Sequence, residues 1–451
     1  MKRLFGTNGI RGVVGTDMTV DLALGVGKAI GSYFGSGPIA IGRDTRTSGP
    51  MLRDALVAGL LATGHDVVDA GVLPSPALQY FVRTGQFVGG VIVTASHNPA
   101  EFNGIKVVDS RGMELSRPEE EAIESRYFEG TFTLADWETT GHVTVDETAV
   151  ERYVTGILSH VDVGAIRARR FRVVLDSGNG AACMTSPLLL ERLGAEVVSL
   201  NGHPDGRFPG RPPEPVRENL SALMRQVRES KAHLGVAHDG DADRAIFVDD
   251  RGEFVFGDRS LALIARDVVS RGGGVVVTPV SSSQCLEDVV RAAGGTVRFT
   301  KVGAPVVARA MYELGATFGG EENGGIIFPE HQFCRDGAMA LAKMLEVLAR
   351  ANRPLSALLS ELPSYSLHKT SVHFPPEERD AILARLRTLA AGRRIDDTDG
   401  VKVYADDGWF LVRPSGTEAI FRIFAESKTE ERAKALAAEG GSLLRAAMAR
   451  D

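Results

Sequence analysis

The sequence predicts an α/β protein with three similar α/β domains, mixed sheets set between helices, and a smaller α+β domain at its C-terminal end. Three observations carry that reading. Short β-branched runs alternate with longer amphipathic stretches, as βα units require. One order of strand, polar loop, helix, glycine and strand recurs at a spacing of roughly 100–130 residues, the mark of an internal repeat. Past about residue 365 the texture changes to strands closed by one alanine-rich helix.

The first copy has a buried strand at Pro38–Gly42, a helix from about Gly49 to Thr63, then Gly64 and a strand at His65–Val68. The second has Arg172–Asp176, a glycine loop, a helix at Ser186–Leu193, Gly194 and Glu196–Val198. The third has Gly274–Thr278, a helix around Gln284–Ala293, Gly294-Gly295 and Thr296–Phe299. Each is trailed by an apolar strand that runs into a polar loop. These are Gly90–Thr94 into Ala95-Ser96-His97-Asn98-Pro99, Leu234–Ala237 into His238–Arg244, and Ala316–Phe318 into Gly319–Gly325. Loops at strand ends are the usual place for a site in open α/β sheets. In the last domain His368–Phe374, Val401–Tyr404 and Trp409–Arg413 read as strands and Thr429–Ala449 as a helix, while Pro375-Pro376 and Gly202–Pro215 read as loops. The expected domains are 1–148, 149–248, 249–364 and 365–451.

At 451 residues the chain is too long for one core. Its 43% apolar and 24% charged residues suit a water-soluble globular protein. A net charge of −7 leaves no basic field, so nucleic acid is not an expected partner, and an anionic substrate has to be met by local arginines and lysines. Cys183, Cys285 and Cys334 form neither a disulfide framework nor a zinc spacing, which fits a reducing cytoplasm. No stretch could span a bilayer, so no membrane partner is expected and the expected location is cytoplasmic.

Asp239-Gly240-Asp241-Ala242-Asp243 places three carboxylates at alternate positions, and alternate residues of an extended segment point the same way. An EF-hand would need glycine and glutamate where the chain has Arg244 and Asp250. A solvated acidic turn is the plain alternative. Three like charges directly after a buried strand are costly unless a metal neutralises them, and magnesium suits a site with few protein ligands beside a phosphate. Ser96, taken alone, is a turn or N-cap serine. His97 does not make it a hydrolase nucleophile, because neighbouring side chains on a strand diverge and no G-x-S-x-G elbow is present. A seryl phosphoryl carrier among Arg11 and Lys106 fits better. Arg413-Pro414-Ser415-Gly416-Thr417-Glu418, with Arg422, collects two guanidinium forks, two hydroxyls and a glycine N–H as a phosphate cradle, or forms an ordinary capped turn. Gly319-Gly320-Glu321-Glu322-Asn323-Gly324-Gly325 lacks the Lys and Ser/Thr of a P-loop, and its acids and amide suit hydroxyl groups, with a tight acidic turn an equal alternative.

In this order, and with Phe5-Gly6-Thr7-Asn8-Gly9-Ile10-Arg11-Gly12 at the front, the segments resemble the α-D-phosphohexomutase superfamily from residue 5 to about residue 430. Glu321–Gly325 and Phe328-Pro329-Glu330-His331 are similar to its archaeal phosphoglucosamine mutases, a pattern shared with archaeal phosphomannomutase/phosphoglucomutase enzymes. The resemblance implies four domains around a central cleft and an interconversion of glucosamine 6-phosphate and glucosamine 1-phosphate. The reaction would pass through a phosphoserine at Ser96 and a hexosamine 1,6-bisphosphate, with hexose 1,6-bisphosphate as activator. It further implies Mg²⁺ on Asp239, Asp241, Asp243 and phospho-Ser96, and sugar recognition by Glu321 and Asn323. Arg413, Ser415, Gly416, Thr417 and Arg422 would grip the unreacting phosphate, while Arg11, His97, Lys106 and Arg244 would surround the transferring group. The expected partner is a small sugar phosphate, and the expected assembly a monomer or homodimer.

One departure stands out. Many bacterial relatives end the third loop in Ser-Gly-His, whereas this chain has Asn323-Gly324-Gly325, which leaves Lys106 as the candidate for proton transfer. Two other classes of function remain. Gly178-Asn179-Gly180 after a strand hints at a dinucleotide-binding oxidoreductase, with Cys183 where a third glycine belongs, and a non-catalytic sugar-phosphate-binding protein could use the same fold.

Overall fold

The continuous apolar runs become parallel strands buried on both faces, which is why they show no alternation. The computed structural model describes residues 3–6, 8–415 and 419–449. The chain divides into two units, Met1–Ser260 with Asn323–Leu359, and Leu261–Glu322 with Ser360–Asp451.

The first unit holds two sheets of one design. One orders its strands as Ile10–Val13, Phe102–Asp109, Gly89–Val93, Ile39–Arg43, Val67–Val72 and Val143–Val145. Its middle strands Ile39–Arg43 and Gly89–Val93 run parallel, and Gly89–Val93 pairs antiparallel with Phe102–Asp109. The other runs Ala245–Val248, Leu234–His238, Arg172–Asp176, Glu196–Leu200, again with a parallel core and one antiparallel strand, Ala245–Val248. In both sheets the chain therefore leaves the C-terminal end of a parallel strand, makes a polar loop and returns antiparallel. Those loops are residues 94–101 and 239–244. Helix Gly337–Ala351 packs in the same unit, capped by Asp336, whose carboxylate accepts from the Met339 amide at 2.9 Å and the Tyr153 hydroxyl at 2.5 Å.

The second unit contains parallel strands Thr296–Thr300, Val275–Pro279 and Phe318–Gly320. It also contains an antiparallel sheet ordered Ser366–His373, Ile420–Ser427, Gly408–Pro414, Val401–Ala405, Ile395–Asp396. Helices Arg379–Leu389 and Glu430–Met448 close that sheet over Leu386, Phe410, Phe421, Leu436 and Leu444. Thr429 caps the last helix, its hydroxyl accepting from the Arg432 amide at 3.2 Å. Mixed sheets between helices plus a C-terminal α+β part are thus the architecture. Among the described residues no helix is long and apolar enough to cross a membrane.

Two strands sit later than periodicity suggests. The strand expected at His65–Val68 is Val67–Val72, because the His65 ring is occupied between the carbonyls of Gly31 and Gly37, at 2.8 Å from each. The strand expected at Ala316–Phe318 is Phe318–Gly320, so two glycines assigned to the loop are strand residues. Helix Ala304–Leu314 lies too close for a side chain there: a Cβ on Gly319 would fall 2.4 Å from Met311 Sδ.

A buried cation in the second unit gives a pH test. Lys402 Nζ donates to the Val280 carbonyl at 2.8 Å and lies 3.9 Å from the Trp409 ring centre. Burial pulls its pKa down to about 8 against the opposing pull of Glu426, Asp396 and Glu287. Between that value and its ordinary one of 10.5 the unfolded chain binds the extra proton, so stability rises with pH through this window. From pH 7.5 to 10 the wild type should therefore gain on Lys402→Met in unfolding free energy, by at most on the order of 3 kcal/mol. A pH-independent difference between the two proteins would refute the assignment.

Candidate active site

Ser96 sits where the chain turns off its sheet, with φ at +50°, a left-handed conformation that serine seldom adopts. Its amide donates to Thr94 Oγ1 at 2.9 Å and its hydroxyl to Asp239 Oδ2 at 2.7 Å. The reasoning that Ser96 and His97 must diverge does not hold. The turn replaces the strand there, and Ser96 Oγ lies 3.3 Å from His97 Nδ1. The conclusion drawn from it survives on different grounds. Arg244 Nη2 faces the same Nδ1 at 3.0 Å, and a guanidinium only donates, so that lone pair is already engaged and the ring proton is on Nε2. Burial, then Arg244, Arg11 and Arg335, push the His97 pKa down to about 2, leaving a neutral ring. The serine proton goes to a carboxylate instead.

The three aspartates converge, but not through extended alternation. Residues 240–242 form a turn with Ala242 at φ +57°, and the turn aims the carboxylates inward. One oxygen from each of Asp239, Asp241 and Asp243 lies within 4.8 Å of the others, and all three residues are buried. The Asp loop packs directly on the serine loop, since a Cβ on Gly240 would fall 2.4 Å from the Ser96 carbonyl oxygen. Lys106 Nζ donates to Asp241 Oδ2 at 2.7 Å and lies 3.5 Å from Asp243 Oδ2. Ser75 Oγ donates to the same Asp241 oxygen at 2.6 Å, and Arg335 Nη2 to Asp243 Oδ2 at 2.5 Å. The second oxygens, Asp241 Oδ1 and Asp243 Oδ1, are buried without a hydrogen-bond partner. Buried carboxylate oxygens without a partner are costly, and beside a third carboxylate they fit a hard divalent cation. Burial and the neighbouring Asp243 and Asp241 hold Asp239 well above the ordinary carboxylate range. Burial acts the same way on Asp241, but Lys106, Ser75 and Arg11 outweigh it and hold that group low. Burial pulls Lys106 down while Asp241 and Asp243 pull harder the other way, so its pKa is raised and it stands as a cation.

Arg11 closes the ring, with Nη1 donating to Asn98 Oδ1 at 2.7 Å and to the Ala95 carbonyl at 3.3 Å. Arg244 Nε lies 3.9 Å from Asp239 Oδ2 and 3.8 Å from Asp243 Oδ1. Ser96, His97, Lys106, Arg11, Arg244 and the three aspartates are thereby brought together in one unit. Asn323 belongs to the same unit, its Oδ1 accepting from the Gly325 amide at 3.1 Å. The structure also explains why position 325 is glycine: a Cβ there would fall 2.1 Å from Arg335 Cδ. Arg335 takes the space and carries its guanidinium to Asp243. Sequence reasoning missed Arg335 and Ser75. Both stand at the entrance to a helix, Gly337–Ala351 and Ser75–Thr84, where a polar residue reads as a cap, and only the fold turns them toward the aspartates.

In the second unit Glu321 is buried and accepts from the Gly303 amide at 3.1 Å. Arg413 Nε donates to Asp399 Oδ2 at 2.8 Å, and the same oxygen accepts from the Val302 amide at 3.1 Å. Glu321 and the Arg413–Asp399 pair thus grip consecutive amides of one loop. Arg422 is the register partner of Arg413 across adjacent strands, so both guanidinium stems leave the same face. The Ser415 amide donates to the Ile420 carbonyl at 2.8 Å. Gly416 and Thr417 lie outside the described residues.

The Gly178-Asn179-Gly180 loop is filled by protein. Arg211 Nη2 lies 2.8 Å from where a Cβ on Gly178 would be, and Arg211 Nε donates to Asp176 Oδ2 at 2.7 Å. A Cβ on Gly180 would fall 2.7 Å from the Gly240 carbonyl oxygen. A 3₁₀ turn, Ala181–Met184, follows in place of the long helix whose N-terminus would bind a pyrophosphate. Gly180 serves contact with the aspartate loop, and Gly178 makes room for Arg211.

Family profiles for phosphoglucomutase/phosphomannomutase match in sequence: alpha/beta/alpha domain I at residues 2–134, domain II at 151–252, domain III at 256–365 and the C-terminal domain at 374–440. The chain is 46% identical to a phosphoglucomutase/phosphomannomutase of Thermococcus kodakarensis over 99% of its length and 100% of that protein's. It is also 46% identical to a probable phosphoglucosamine mutase of Methanopyrus kandleri, over 99% and 98% of the two chains. A solved phosphoglucomutase/phosphomannomutase family protein from Burkholderia thailandensis superposes with a TM-score of 0.89 at 30% identity, covering 98% of this chain and 97% of that one.

Proposed function

The chain belongs to the phosphoglucomutase/phosphomannomutase family and is a phosphohexomutase, and from that premise we propose that it interconverts glucosamine 6-phosphate and glucosamine 1-phosphate with Ser96 as phosphoryl carrier. One observation supports the carrier above all. The Ser96 hydroxyl is bonded to one member of a buried carboxylate trio, two of whose other oxygens have no hydrogen-bond partner, inside a ring of cations. A lone turn serine has no use for such surroundings.

In this reading Ser96 Oγ gives its phosphoryl group to the free hydroxyl end of the sugar monophosphate. The serine–phosphorus bond breaks as the sugar–phosphorus bond forms, and a hexosamine 1,6-bisphosphate results. After the bisphosphate turns end for end, Ser96 takes back the other phosphoryl. Asp239, Asp241 and Asp243 would hold Mg²⁺, which supplies positive charge to phosphoryl oxygens when bound. Arg11, Arg244 and Arg335 add charge already oriented by fixed partners, so little reorganisation is needed at transfer. His97, neutral with Nε2 protonated, offers a hydrogen bond and does not compete for the serine proton. Lys106 keeps its proton through Asp241, so it enters as the acid that protonates Ser96 Oγ as the serine–phosphorus bond breaks; the proton of the attacking sugar hydroxyl restores it, and the return transfer runs the same exchange in reverse. Glu321 and Asn323 would read sugar hydroxyls, and Arg413, Ser415, Gly416, Thr417 and Arg422 the distant phosphate, whose binding supplies orientation.

The substrate is tested by kcat/KM over glucosamine, mannose and glucose 6-phosphates. The expected order places glucosamine 6-phosphate first by roughly tenfold or more, a difference of about 1.4 kcal/mol in transition-state binding. A preference for mannose or glucose phosphate would make the enzyme a phosphomannomutase/phosphoglucomutase instead.

A further inference from the structure

We propose that Arg46 is the positioning residue of the phosphoryl-carrying loop, a claim that rests on the reading of Ser96 as carrier. Arg46 follows the strand Ile39–Arg43 and is fully buried, which a guanidinium tolerates only when its hydrogen bonds are made. All five of its N–H groups have acceptors. Nε donates to Asp44 Oδ2 at 3.0 Å, Nη1 to the carbonyls of Pro99 and Phe102 at 2.5 and 2.8 Å, and Nη2 to those of Ser96 and Asn98 at 2.8 and 2.6 Å. Four of the five bonds therefore end on backbone between residues 96 and 102, the loop that carries the serine.

The same cluster reaches the other side of Ser96. Asp44 Oδ2 accepts from Thr94 Oγ1 at 2.6 Å, and Thr94 Oγ1 accepts from the Ser96 amide at 2.9 Å. Both backbone polar groups of Ser96 are thus held by one charged network, carbonyl through Arg46 and amide through Thr94. This is where the backbone needs holding, because Ser96 is in the left-handed region and would relax to negative φ if released. The Phe208 ring lies 5.1 Å from the guanidinium carbon and covers it. Arg46 bonds the carbonyls of the loop and acts through the main chain. Lysine cannot replace it, since an ammonium has three donors and no planar fork.

The test uses the full chain as Arg46→Lys, Arg46→Ala and Thr94→Val, with Ser96→Ala alongside. For Arg46→Lys we expect kcat to fall by roughly 100-fold with KM for the sugar phosphate changed by less than about threefold, since a 1 Å misplacement of a reacting group costs that much. Guanidinium chloride at millimolar concentration should restore part of the Arg46→Ala turnover, and ammonium chloride should not. Thr94→Val should move kcat in the same direction by roughly tenfold. The proposal is overturned if Arg46→Lys retains kcat within about twofold of wild type. It is also overturned if lost turnover tracks a lost fraction of phosphorylatable Ser96 by intact mass while the remaining molecules turn over at the wild-type rate. Should neither Arg46 variant fold, full kcat in Thr94→Val overturns it. Turnover surviving in Ser96→Ala sinks the carrier reading itself, a result separate from any of these.

Discussion

Ser96→Ala is expected to lower phosphohexomutase turnover by roughly 10⁴-fold or more, because the covalent route disappears and no neighbouring group can take its place. His97 is neutral, with Nδ1 committed to Arg244, and the three aspartates are the residues that would hold the metal. Intact mass before and after incubation with hexose 1,6-bisphosphate checks the mechanism independently of rate. Wild type should gain the mass of one phosphoryl group and the variant none. Stability should change little, since the serine side chain loses its bond to Asp239 while the Ser96 backbone stays held by Thr94 and Arg46. Full turnover in the variant would place the carrier elsewhere.

The second large effect concerns the carboxylate trio. Removing divalent metal with a chelator should lower turnover by roughly 10²–10³-fold, with Mg²⁺ restoring it, and Asp239→Asn should cause a similar loss that Mg²⁺ does not restore. The two effects part company on stability. Asp239 is pushed well above its ordinary range by burial and by Asp243 and Asp241, so near neutral pH its ionised form disfavours the folded state. Asparagine removes that penalty. The variant should therefore unfold in chelator at or above the wild-type temperature, while added Mg²⁺ should raise the wild-type temperature and leave the variant nearly unmoved. A chelator-insensitive wild type would end the metal reading.

The parts of this protein legible in its sequence are those governed by short-range rules. Buried strands read as apolar runs, helices as periodic stretches such as the alanine-rich one closing the chain, and repeats as a recurring order, because each depends on neighbouring residues. The site motifs at strand ends were legible for the same reason. Where a strand's limits missed, tertiary contact had overridden the pattern: the His65 ring went to two carbonyls, and Met311 packed against Gly319.

What the sequence by itself determined is which residue types stand in which loops: a serine, three alternating aspartates, and arginines and a lysine within reach. What only the tertiary structure decided is their geometry. The aspartates meet through a left-handed turn at Ala242, Ser96 and His97 approach because the chain leaves the strand between them, and Arg335 fills the space beside Gly325. Arg335, Ser75 and Arg46 act across 92, 166 and 50 residues of chain, on Asp243, Asp241 and Ser96. The physical reason is that a hydrogen bond requires its partners within about 3 Å, and folding, not spacing along the chain, sets that distance.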